Sequence, residues 1–272
     1  MEYHIKPQKK LAFNFKEVWD YRELFFFFTW RDIKIKYKQT ALGVVWVVLQ
    51  PLIFMSIFVA FFGNFVKTHT SSSLPYPLFV LGGLLLWNVF SNGLSNASNS
   101  MITNANIIKK IYFPRLILPV TGIIVPFFDF FISLLLFASA CIYFDFIPSW
   151  HLFYALPIAL SIVLITTLGL GLLISSLSVK FRDFKYIVPF LIQILLFLTP
   201  VIYPSKLIPF GWLNKLLELN PIGAAIEILR AGLTADSIQL IHHSPAILLS
   251  IALLFIGGSY FKSTEHYFAD LA

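Results

Sequence analysis

The sequence predicts an all-helical membrane protein. It has six spans, an N-terminal interfacial amphipathic helix, and an outer re-entrant helical hairpin between spans five and six. Three observations predict this. Hydrophobic residues make up 58% of the 272 and charged residues only 12%, with a mean hydropathy of +0.81, whereas a soluble domain carries about 25% charge. Apolar stretches of roughly 20 residues, the length that crosses a bilayer core, recur along the chain. Of the twenty Lys and Arg, sixteen fall on one side of those stretches, as the positive-inside bias requires.

In chain order, residues 1–42 form a cytoplasmic N-terminus whose segment 13–38 mixes Trp19, Phe25 to Phe28 and Trp30 with Arg22, Glu23, Arg31, Asp32, Lys34 and Lys38. Aromatics at headgroup level beside basic residues mark a helix lying in the interface. Asp32 and Lys36 are spaced to pair across one turn. The transmembrane domain follows over 43–262, with spans at about 43–66, 77–100, 116–144, 152–178, 186–203 and 245–261. Between the last two, segment 205–235 holds two modestly apolar pieces split by Asn220-Pro221. At about 1.5 Å per residue neither piece can cross, so the segment reads as a re-entrant hairpin on the outer face. Residues 263–272 form a cytoplasmic tail, and both termini lie in the cytoplasm.

Composition excludes several chemistries. Cys141 is the single cysteine, so neither an internal disulfide nor a thiolate metal cluster can form. The six histidines are scattered apart from His242-His243, and no metal site is expected. The charge of +7 faces cytoplasmic lipid and partners rather than nucleic acid. No Gly is followed by Lys, so no phosphate-cradling Walker loop exists and the chain does not hydrolyse ATP alone. Gly93-Leu94-Ser95-Asn96-Ala97 is a weak match to a serine-nucleophile turn and lacks a base nearby. No catalytic residue is expected.

Five motifs occur in order: Trp30-Arg31-Asp32 running to Gly43-Val44-Val45-Trp46 with Pro51; Asn104-Ala105-Asn106-Ile107-Ile108-Lys109-Lys110-Ile111-Tyr112-Phe113-Pro114-Arg115; Phe181-Arg182-Asp183; Thr199-Pro200-Val201-Ile202-Tyr203-Pro204; and Leu219-Asn220-Pro221. Through them the chain resembles, along nearly its whole length, the membrane subunits of ABC exporters in the polysaccharide-export branch (Wzm-type permeases). The resemblance implies a homodimeric pore in the bacterial plasma (inner) membrane. It implies two copies of a separate ATPase that binds ATP and Mg, no cofactor on this chain, and a lipid-linked glycan as cargo. O-antigen is the first choice, with teichoic acid or capsule as alternatives. The rival class is an ion-coupled secondary transporter or flippase working without an ATPase.

Against that background several side chains stand out. Asn104, Asn106, Ile107, Ile108, Lys109 and Lys110 form a capped amphipathic turn suited to docking on an ATPase, or a lipid-facing loop; Arg182 and Asp183 form a second candidate contact. Phe54, Phe58, Phe61 and Phe65 share one helical face, and Trp46 lies earlier on the same span. Such a stripe either lets sugar rings stack as they pass or packs against lipid. Asn88, Asn92 and Asn96, continued by Asn99, either line a hydrated channel or join helices. Asp129 sits among Phe127, Phe128, Phe130 and Phe131; a carboxylate there needs a proton or a partner, and Arg230 is a candidate. Asn220, Pro221, Glu227 and Arg230 form the expected outer gate, with Glu227 bracing Arg230.

Overall fold

The computed structural model describes residues 19–38, 43–69, 74–181, 183–205, 211, 217–237, 239–265 and 268, and of residues 65–69 the backbone alone. Among them every regular element is a helix: α1 (Arg22–Lys38), α2 (Gly43–His69), α3 (Tyr76–Thr103), α4 (Ala105–Ile108), α5 (Ile117–Tyr143), α6 (Leu152–Lys180), α7 (Phe184–Leu198), α8 (Pro221–Thr234) and α9 (Ser244–Thr264). Five of these, α2, α3, α5, α6 and α9, are long and apolar enough to cross a membrane. Their bounds follow the apolar runs within a few residues.

The fifth expected span departs from this. Helix α7 has 15 residues, about 22 Å at 1.5 Å per residue, short of the ~30 Å core. It ends where Thr199 turns extended, at φ −95° and ψ 137°, because the ring of Pro200 excludes the preceding residue from helical geometry. The first arm of the expected outer hairpin lies mostly outside the described residues. The part expected as its second arm forms α8, whose 14 residues are too few to cross.

Helix α3 is the centre of the bundle, with 83% of its most apolar window buried. It packs chiefly on α5 and α6, and α6 in turn carries α8 and α9. Without a hydrophobic drive between helices in lipid, such contacts rest on close approach of small residues. At the α6–α9 crossing, a Cβ added to Gly257 would run into the carbonyl oxygen of Gly169, so the two backbones touch. One hydrogen bond, Thr166 Oγ1 to Ser250 Oγ at 3.1 Å, crosses the same interface. By contrast α2 has only 11% of its window buried, and α7 buries Val188 alone.

A second apolar cluster closes one end of the bundle. It joins Phe28 of α1, Met101 of α3, Ile108 and Phe113 of the following loop, Ile117 of α5, and Phe261 and Phe268 of the C-terminal region. Beside it the backbone N–H of Arg115 donates to Glu265 at 3.3 Å. The Arg115 guanidinium donates to the Glu265 carbonyl, and Glu265 pairs with Lys262 at 2.9 Å. The chain's two terminal regions thus meet on the loop that follows α3.

Candidate functional site

The loop after α3 is a single helical turn, α4, continued as irregular turns to Phe113. Asn104 does not cap α4 with its side chain, as its position suggested. Its amide donates back to the Ser100 carbonyl at 2.8 Å, and its oxygen accepts from Arg31 of α1 at 3.0 Å. Along the turn the side chains divide. Ile108 is buried in the second cluster and Ile107 leans on it. Asn106, Lys109 and Lys110 are exposed, joined by Ile111 at 50% and Tyr112 at 73% exposure. The exposed side chains of the turn are therefore Asn106, Lys109, Lys110, Ile111 and Tyr112, whereas Ile108 holds the loop onto the bundle. Helical register would place Ile111 on the same face as Ile107 and Ile108, but the helix ends at Ile108, and Ile111 and Tyr112 stand exposed beyond it. Asp183 is exposed at the start of α7, at the end of the bundle where Val179 packs on the second cluster. Arg182 lies outside the described residues.

Asp129 does not pair with Arg230. Its carboxylate accepts from the Lys36 ammonium and from the Tyr37 hydroxyl of α1. Asp32 pairs instead with Arg31, at 2.7 Å, so the expected one-turn pair with Lys36 gives way to a tertiary one. Burial, the hydrogen bond to Asp129 and the charge of that carboxylate all push the Tyr37 phenol above its usual value, so it stays a donor.

Arg230 is the hub of the opposite region. Its guanidinium donates to the carbonyls of Pro200 at 2.6 Å, Val201 at 2.7 Å and Phe79 at 3.1 Å. It also lies 3.3 Å from the centre of the Phe79 ring; Nε is left without a partner. These bonds replace the brace expected from Glu227. Gly83 is required here: a Cβ would meet the Val201 carbonyl oxygen at 2.9 Å and the Arg230 guanidinium at 3.0 Å. Tyr76 donates to the Ile202 carbonyl at 2.9 Å. Asn220 caps α8, accepting from Ile222 and Gly223, and donates to Thr199 at 2.9 Å. Pro221, the first residue of α8, is buried. The turn Thr199–Ile202 is thereby tied to both α3 and α8.

The aromatic face of α2 splits. Phe58 turns into the core at 8% exposure, while Trp46, Phe54 and Phe61 stay exposed at 50%, 38% and 77%; the Phe65 side chain lies outside the described residues. On α3, Asn88 and Asn92 are half-buried, and Asn96 is exposed and donates to the Gly122 carbonyl at 3.3 Å. Among the described residues no three His, Cys, Asp or Glu side chains gather as a metal site requires.

The family model for the ABC-2 type transporter matches residues 23–234, from α1 through α8. The chain belongs to the ABC-2 type transporter family. Its ABC-2 relatives include the O-antigen export system permease protein RfbA of Klebsiella pneumoniae, 27% identical with 96% of this chain and 98% of that protein covered. RfbA of Myxococcus xanthus is 28% identical over 94% and 97% of the two chains. The polysialic acid transport protein KpsM of Escherichia coli is 25% identical over 86% and 91%. The ABC-2 match contains the loop after α3, the Lys36–Asp129 contact and the Arg230 hub, so all three belong to the shared domain. Sequence reasoning had singled out Asp129 and Arg230 without their partners. A lone mid-span carboxylate does signal a basic partner, but which one depends on how α1 docks.

Proposed function

We propose that the chain is the membrane-spanning permease subunit of an ATP-driven exporter. It moves a lipid-linked polysaccharide, O-antigen first, across the bacterial inner membrane. The observation that carries this reading is the match to O-antigen export permeases over nearly the full length of both chains. Geometry supports each part. The exposed Lys109, Lys110, Ile111 and Tyr112 present a basic, aromatic edge on a turn rigidly held by Ile108, Arg31 and the C-terminal region. Such a knob transmits motion only if its base is fixed. ATP and Mg bind the separate ATPase, and this turn, with Arg182 and Asp183, is its docking surface.

A second copy faces the outward sides of α2 and α7, the least buried of the apolar helices. Between the copies Trp46, Phe54 and Phe61 offer rings on which the apolar faces of sugars slide, and the Asn face of α3 offers amides to their hydroxyls. At the outer end the hairpin seals the resting pore. Arg230 anchors it rather than gating it, since a guanidinium bound to three carbonyls is a fixed point. The bundle has six crossings, with α7 and the turn after it as the fifth, and cytoplasmic termini. An ion-coupled mechanism would need a carboxylate free to load an ion, whereas Asp129 is engaged by Lys36 and Tyr37.

The test is genetic. Deleting the gene in its own cell should abolish surface polysaccharide on immunoblot, and inactivating the cognate ATPase should give the same loss. Surface polysaccharide that persists without the ATPase would contradict the proposal.

A further inference from the structure

Asp129 is the single carboxylate within the five long helices. It lies twelve residues past the start of α5, about 18 Å along the helix. Helix α1 meets it there with Lys36 and Tyr37. Five residues earlier on α1, Arg31 holds Asn104, where α3 hands over to the docking turn. One short rod is therefore fixed at two places: the base of the docking turn and the middle of α5. The second attachment differs from the apolar packing around it. Apolar side chains slide past one another at little cost. An ion pair resists sliding when its carboxylate is buried, as Asp129 is at 10% side-chain exposure, because breaking it strands a charge in an apolar setting. Pro126 lies three residues before Asp129 inside α5. A proline removes a backbone hydrogen bond and allows bending there, so a pull on Asp129 acts just beyond a built-in weak point of the helix.

We propose that Lys36, Tyr37 and Asp129 form a latch through which α1 carries displacement of the docking turn into the middle of α5, and that Asp129 is a positioning residue of the export cycle. This rests on the reading of the turn as the ATPase contact. If the turn moves when the ATPase closes, Asn104 moves Arg31, α1 moves as a unit, and α5 bends at Pro126.

The experiment uses the full permease–ATPase complex in lipid nanodiscs. A spin label replaces Leu135, exposed on α5 beyond Asp129, in a chain whose Cys141 is replaced by Ala. The label-to-label distance across the dimer is read without nucleotide and after ATP–vanadate trapping. The unmodified latch should give a shift between the two states. Asp129→Asn and Lys36→Met should abolish the shift while the assembled complex keeps hydrolysing ATP within about five-fold, the lower end of ordinary coupling effects. Tyr37→Phe, which removes one hydroxyl and keeps the ion pair, should reduce the shift and covers the case in which Asp129→Asn does not assemble. A merely structural role would lower hydrolysis and shift together, in proportion to the complex recovered; that result would overturn the latch. So would a full shift in Asp129→Asn, or in Tyr37→Phe. A permease that binds no ATPase at all fails earlier, at assembly, and sinks the proposed function instead.

Discussion

A guanidinium taken out of water is tolerated only when its donors find acceptors. Arg230 finds them in three backbone carbonyls, at 2.6 to 3.1 Å. Hydrogen bonds to a charged group contribute about 1.5–3 kcal/mol each, and removing the side chain also strands the carbonyls. Arg230→Met should therefore destabilise the permease by about 3 kcal/mol or more, seen as a lower thermal midpoint in detergent by tryptophan fluorescence. Arg230→Lys should fall between, since a point charge reaches fewer acceptors than a planar fork. An unchanged midpoint in Arg230→Met would contradict the clamp. At this scale the sequence was only half legible. It marked Asp129 as an unusual charge in an apolar setting and Arg230 as part of an outer gate. It paired Arg230 with Glu227 or Asp129 because sequence displays charged side chains but not which carbonyls a broken helix leaves open.

Elements were more legible than contacts. Apolar length located α2, α3, α5, α6 and α9, because crossing a bilayer fixes the length of a helix whatever its neighbours. Thr199-Pro200 shortened α7 by a local steric rule, visible in the dipeptide once weighed against hydrophobicity. The turn after α3, proposed as the ATPase contact, has two faces, and they make separate predictions. Lys109→Ala with Tyr112→Ala should weaken ATPase co-purification while leaving the permease's thermal midpoint within about 1 °C, as surface changes do. Ile108→Ala should instead lower stability by about 2–4 kcal/mol, as for other buried Ile truncations. The reverse pattern would place Ile108 in the contact. Where α6 and α9 touch, Gly257→Ala should cost about 1–3 kcal/mol through overpacking, measured as loss of folded protein on heating.

Across the molecule, burial is unequal: α3 is enclosed, while α2 and α7 stand almost bare. The family was legible from five motifs that occur in order along the chain. The docking of α1 was not, because an interfacial pattern says that a helix is amphipathic, not what its far end touches. The proposed function requires the chain to work as half of a membrane pore driven by a separate ATPase. Native mass spectrometry of the tagged permease co-expressed with its cognate ATPase, followed by ATP hydrolysis in nanodiscs, tests it most directly. A complex of two permeases and two ATPases that hydrolyses ATP is the predicted result. A permease that purifies alone, binds no ATPase and still moves glycan across a bilayer would contradict it.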